Sequence, residues 1–166
     1  MSIFPRRLRS FAAGIGLVLL TTAPAPAATA TSSAPMTTSG AVFDLEQLRG
    51  QVVYLDFWAS WCGPCRQSFP WMNDLQKNLS RDGLVVVAVN VDHERADADR
   101  FLYAYAPAFQ VVYDPQGSLA EHWHVKGMPT SVLIGRDGKP VLVHQGFHLA
   151  DRAELEGAVR SALAAH

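Results

Sequence analysis

Residues 52–66, VVYLDFWASWCGPCR, constrain this chain more than any other stretch. Val52 to Phe57 is an apolar run broken by a single acid, Asp56, and predicts a buried strand. Trp58 to Trp61 follow, then Cys62-Gly63-Pro64-Cys65 and a helical stretch expected to begin at or near Cys62. These two cysteines are the only ones in the chain. A bond joining them closes almost no loop, so it restrains the unfolded chain very little and makes a poor staple. What remains is chemistry at sulfur. That means either thiol–disulfide exchange or a half-site for a metal, which would need one or two further ligands.

A chain of 166 residues, 49% of them apolar, suits one domain with a sizeable core. Its first part is set apart. Arg6, Arg7 and Arg9 precede an apolar stretch from Phe11 to Leu20 and then a Thr/Ala/Pro-rich tract, the layout of a secretory signal. Residues 1–30 are therefore expected to be a signal peptide, cut near 27–30 at Ala25-Pro26-Ala27 or Ala28-Thr29-Ala30. Its apolar core is short for a bilayer span, although a retained signal would act as an anchor. Residues 31–40 read as a flexible spacer and 41–166 as the folded domain. Losing the signal removes three arginines and no acid, so the exported domain is more acidic than the −1 of the whole chain. Nothing in that balance attracts nucleic acid or an anionic membrane.

Within the domain, Ala41-Val42-Phe43 is expected to be a short edge strand, and Asp44 to Leu48 a helical turn ended by Gly50. After the first long strand, Phe69, Met72, Leu75 and Leu79 recur at helical spacing, with Pro70 expected to kink the helix. Leu84 to Val91 is almost unbroken Val, Leu and Ala, a central strand parallel to the first. A second helix carries Phe101, Leu102 and Tyr105 inward before Pro107, followed by a strand at 111–113 and a short helix at 118–124. Thr130 to Ile134 and Val141 to Gln145 form a hairpin across Arg136-Asp137-Gly138-Lys139. Asp151 and Glu154 suggest a capping box for a last helix burying Leu155, Ala158, Val159, Ala162 and Leu163. The expected fold is α/β, a mixed central sheet with a parallel βαβ half and an antiparallel hairpin half, flanked by helices.

FWASWCGPC, followed far downstream by Gly127-Met128-Pro129-Thr130, resembles the thioredoxin superfamily. More narrowly, the chain is similar to exported TlpA/ResA-like thiol–disulfide oxidoreductases. The signal, Phe69-Pro70 after the second cysteine, and a helix–strand insertion at about 97–113 carry that narrower match.

Exchange needs a thiolate, and Cys62 near a helix start faces backbone N–H groups and the positive dipole end. Cys65, one turn further in, is expected to be less exposed and to resolve the mixed disulfide that Cys62 forms. A carboxylate in a buried strand is costly, so Asp56 is expected to have a raised pKa; the resemblance implies that it serves as base for Cys65. The resemblance also implies a cis bond before Pro129 and a Met128 backbone free to pair with an extended substrate. Trp61, Gly63 and Pro64 complete the expected substrate-binding set. Asp92 or Glu94 matches an acid near the site of some relatives, and Ser68 stands where many carry Glu.

No cofactor beyond the Cys62–Cys65 disulfide and no resident metal is expected. A rival reading is a copper-handling module using the dithiol, with histidines such as His93, His122, His124, His144 and His148 as further ligands. The related Sco-like proteins, however, separate their cysteines by three residues, not two. The Gly-Pro dipeptide matches the reducing thioredoxin end of a range about 150 mV wide, not the oxidising DsbA end, which would mark a dithiol oxidase. The expected activity is therefore reduction of protein disulfides in the periplasm or another exported setting. Clients would be of the cytochrome c maturation or copper-site assembly type, and a membrane thiol protein would donate electrons.

Overall fold

The computed structural model describes residues 43–165 and, ahead of them, a two-residue strand, β1 (Thr37–Thr38). The expected signal and spacer lie outside these residues, apart from that strand. Next come β2 (Val52–Trp58), α1 (Cys65–Leu79), β3 (Leu84–Asn90), α2 (Arg95–Tyr105) and β4 (Gln110–Tyr113). A short α3 (Ser118–His122), the hairpin β5 (Thr130–Ile134) and β6 (Pro140–Gln145), and α4 (Arg152–Ala164) complete the domain. The six strands are ordered β1-β4-β3-β2-β5-β6. β1, β4, β3 and β2 run parallel, while β5 and β6 are antiparallel. This is the expected mixed sheet, with β2 between its two halves.

β2 is buried at all seven positions because both of its faces are covered. Strand alternation sends Val53, Leu55 and Phe57 into one apolar cluster with Val87, Val89 and Val132. Tyr54 and Trp58 point the other way, into the cluster that holds Cys62, Cys65 and the inner face of α1. Asp56, between Leu55 and Phe57, shares that second face. There Trp58, Phe69 and Phe101 pack with ring centroids 4.6 to 4.8 Å apart. Phe101 belongs to α2, so the inserted helix is tied to α1 and to the end of β2. Each such ring contributes roughly 1.5–3 kcal/mol of burial.

Several boundaries differ from expectation. The edge strand is at Thr37–Thr38, paired with Val111 and Val112, while Phe43 packs as a half-buried residue without strand pairing; Ala41 and Val42 lie outside the described residues. α1 runs unbroken through exposed Pro70, which removes one backbone donor without ending the helix. α2 starts at Arg95 and stops where Ala106 takes a left-handed φ of 40°. The short helix ends at His122. The capping box is built by His148 and Asp151 around a 3-10 turn, Leu149–Asp151, that precedes α4. Asp151 turns its carboxylate back to the His148 N–H at 2.8 Å and leaves the start of α4 without a side-chain cap.

At the opposite end of the sheet from the cysteines, Arg136 joins three segments. Its guanidinium donates to the carbonyls of Gly50, Asp82 and Leu163 at 2.8, 3.1 and 3.2 Å. These precede β2, precede β3 and end α4. Arg49 donates in turn to the carbonyl of Asp137.

Candidate active site

β2 ends where Val91 N–H donates to the Trp58 carbonyl at 3.0 Å. The loop beyond it is held by Asp92. Its carboxylate accepts from Ser60 N–H at 2.9 Å, from the Ser60 hydroxyl at 3.0 Å and from Asn90 Nδ2 at 2.8 Å. Those donors are what allow Asp92 to be buried. Of the two acids expected near the site, Asp92 is thus the anchor of the loop, and Glu94 is exposed.

The helix starts at Cys65, three residues later than expected. Cys62 N–H is taken by the Ala59 carbonyl in a turn at 3.1 Å, and Gly63 and Pro64 form the entry to the helix. Pro64, with φ −60°, occupies the cap, and its carbonyl accepts from Gln67 and Ser68. Cys62 therefore lies just ahead of the helix, with its sulfur turned back onto it. Cys62 and Cys65 form a disulfide, S–S 2.03 Å and Cα–Cα 5.4 Å. Cys65 N–H points at Cys62 Sγ, 3.2 Å away. Cys65 is fully buried; Cys62 shows only 3% of its surface. Around them Gly63 and Pro64 are exposed, and Trp61 stands out at 70% exposure.

β5 begins beside the same end of β2, with Thr130 opposite Phe57. The Met128–Pro129 bond just before it is cis. Gly146 N–H holds the Pro129 carbonyl at 2.8 Å, and the Thr130 hydroxyl donates to the Gly127 carbonyl at 2.7 Å. Among the described residues, no backbone hydrogen bond uses Met128. Its edge is therefore open to an extended chain, the geometry of strand addition.

Asp56 is buried, and burial pushes its carboxyl up to about 7, against the opposing effect of a hydrogen bond from Ser131. The Ser131 hydroxyl donates to Asp56 Oδ1 at 2.7 Å, and Oδ2 has no partner among the protein atoms. Tyr54, on the same face of β2, has its phenol raised by burial and by the neighbouring Asp56. Ser68 is buried, and its hydroxyl donates to the Cys65 carbonyl at 3.1 Å.

The histidines weighed as copper ligands are spread apart: His93, His122, His124 and His148 are exposed, and His144 lies 3.4 Å from Asp151. Among the described residues no three of His, Cys, Asp and Glu converge as a metal cluster. Sequence reasoning missed Ser131, and missed Ser60 and Asn90 as the partners of Asp92. A signal was present for the first: Ser131, like Asp56, is a polar residue with apolar residues following it in a buried strand.

Comparison with known proteins agrees with this geometry. The Redoxin family pattern matches residues 21–159. The thiol-disulfide oxidoreductase ResA of Bacillus subtilis (strain 168) is 36% identical over 109 residues, 66% of this chain and 61% of that protein. The chain thus spans less than two thirds of that relative's length. Among solved structures, a candidate thiol:disulfide interchange protein DsbE from Chlorobium tepidum superposes with a TM-score of 0.71 at 53% identity. The match covers 72% of this chain and 84% of that one. The exposed lipoprotein thioredoxin of Streptococcus pneumoniae strain TIGR4 gives 0.61 at 30% identity, over 70% and 89% of the two chains.

Proposed function

Because the chain belongs to the Redoxin family, as a TlpA/ResA-like member of the thioredoxin superfamily, we propose that it is an exported thiol–disulfide oxidoreductase reducing protein disulfides. The observation that carries this reading is the Cys62–Cys65 disulfide at the head of α1, with the Cys65 amide aimed at Cys62 Sγ.

The reduced pair starts the cycle. Cys62 thiolate attacks one sulfur of a client disulfide held along Met128, with Trp61, Gly63 and Pro64 forming the rim. One client thiolate leaves and takes up a proton. Asp56 removes the proton of Cys65, whose thiolate then attacks Cys62 Sγ in the mixed disulfide. The Cys62–Cys65 bond forms, the second client sulfur leaves, and it too is protonated. Two electrons have passed from the pair to the client, whose two protons come one from Cys65 by way of Asp56 and one from water, and the disulfide seen here is the oxidised product. A membrane thiol protein would return the pair to the reduced state.

Direction rests on Gly63-Pro64, the dipeptide of the reducing end of the superfamily. Export rests on the arrangement of residues 1–30; among the described residues no helix is long and apolar enough to cross a membrane. Clients of the cytochrome c maturation or copper-site assembly type fit such a reductase. The test is a Cys65→Ala variant expressed with its N-terminus intact. It should accumulate mixed disulfides with cell-envelope proteins, and equilibration with glutathione buffers should give a wild-type midpoint near that of thioredoxin. A midpoint near that of DsbA would reverse the direction, and a trap that captures no envelope protein would overturn the reading.

A further inference from the structure

β2 and β5 are antiparallel, and their register sets Asp56 opposite Ser131. Asp56 is the one acid in an apolar strand and Ser131 follows Thr130 in a strand otherwise apolar, and both side chains are buried on the face that packs against α1. The two meet in a single short bond, 2.7 Å from the Ser131 hydroxyl to Asp56 Oδ1. Only Oδ2 of this carboxyl is left without a partner. A hydroxyl that donates its one hydrogen to Oδ1 makes that oxygen an acceptor and disfavours a proton there. The proton that Asp56 gains and loses must then reside on Oδ2.

We propose that Ser131 is a positioning residue for the exchange reaction: by holding Oδ1 of Asp56, it confines proton transfer to Oδ2 and fixes the orientation of the carboxyl. This rests on the reading of Asp56 as base for Cys65. The groups around the pair leave few competitors. β3 presents Ala88 opposite Asp56, and β2 itself contributes Tyr54 and Trp58 on this face. α4 turns Leu155 and Val159 inward, and α1 brings the disulfide cysteines. β6 sets His144 opposite Ser131, with the Asp151 carboxylate 3.4 Å from its ring. No cation faces Asp56 from any of these elements, so the hydroxyl is the one neighbour that stabilises its charge.

The test uses the full chain and four variants, Ser131→Ala, Ser131→Thr, Asp56→Asn and the double Asp56→Asn/Ser131→Ala. The resolving step, Cys65 attacking the mixed disulfide, is followed in single turnover from pH 5 to 9. In the wild type the rate should rise through an inflection near 7. Ser131→Ala removes a hydrogen bond to a charged acceptor, so the inflection should move upward by about one pH unit, a roughly tenfold slower step at pH 6. Ser131→Thr keeps the hydroxyl and should restore the wild-type profile, which a loss of packing alone would not explain. In the Asp56→Asn background Ser131→Ala should change nothing. If Asp56→Asn leaves the inflection in place, Asp56 is not the base and the underlying reading fails. If Asp56→Asn abolishes it while Ser131→Ala leaves it unmoved, the positioning role of Ser131 alone is overturned.

Discussion

The amide of Cys65 and the sulfur of Cys62 stand 3.2 Å apart, with the N–H directed at the atom that the proposed cycle makes anionic. The donor belongs to the first residue of a fifteen-residue helix, so the helix dipole acts in the same sense. The cysteines are therefore unequal by construction. Cys62→Ala should abolish exchange with a disulfide-bearing protein, whereas Cys65→Ala should complete the first attack and stop. Mass spectrometry of the trapped adduct separates the two outcomes.

Asp56 makes stability depend on pH. Its carboxyl is raised from 3.8 to about 7 by burial, so between those values the folded chain binds a proton that the unfolded chain has lost. The contribution is complete below about 4 and is lost as pH rises through about 7. Urea unfolding of the oxidised protein should show stability falling over that window. In Asp56→Asn this slope should be absent, and the variant should equal or exceed the wild type above pH 8.

Arg136 supplies a test remote from the chemistry. Its three carbonyl partners lie on segments leading into β2, into β3 and out of α4. Arg136→Ala should lower unfolding stability by about 2 kcal/mol, allowing for partial solvent exposure. Arg136→Lys should recover only part, because an ammonium lacks the planar fork. Exchange rates at Cys62 should be unchanged in both, as measured by protein disulfide reduction.

Asp92 holds the loop that carries Trp61 and Cys62. Asp92→Ala strands the donors of Ser60 and Asn90 and should cost about 2 kcal/mol. The sharper readout is hydrogen exchange: the Ser60 amide should lose its protection while the β2 amides keep theirs.

The long strands were readable because burial on both faces leaves unbroken apolar runs, as in Leu84 to Val89. The hairpin was readable from the polar turn at Arg136 to Lys139. Thr37–Thr38 was not, since a strand of two threonines owes its existence to the edge of β4 and not to a pattern of its own. The helix start was misjudged because a proline suits both the cap and the first turn, and only the backbone at Cys62 decides between them. Asp56 stood out as an acid in the wrong company. Its bond to Ser131 spans 75 positions in sequence, and strand register is what brings the two together.

Cys62 shows only 3% of its surface beside a tryptophan that shows 70%. A nucleophile approaching the oxidised pair must come in line with the sulfur–sulfur axis, and the small exposed area of Cys62 restricts that approach. On the function proposed above, a small free thiol would find little sulfur to reach, whereas a protein thiol carried on an extended segment would also bury part of Trp61. Discrimination between the thiol pool and a dedicated partner would then begin with access, before any side chain of the partner is recognised.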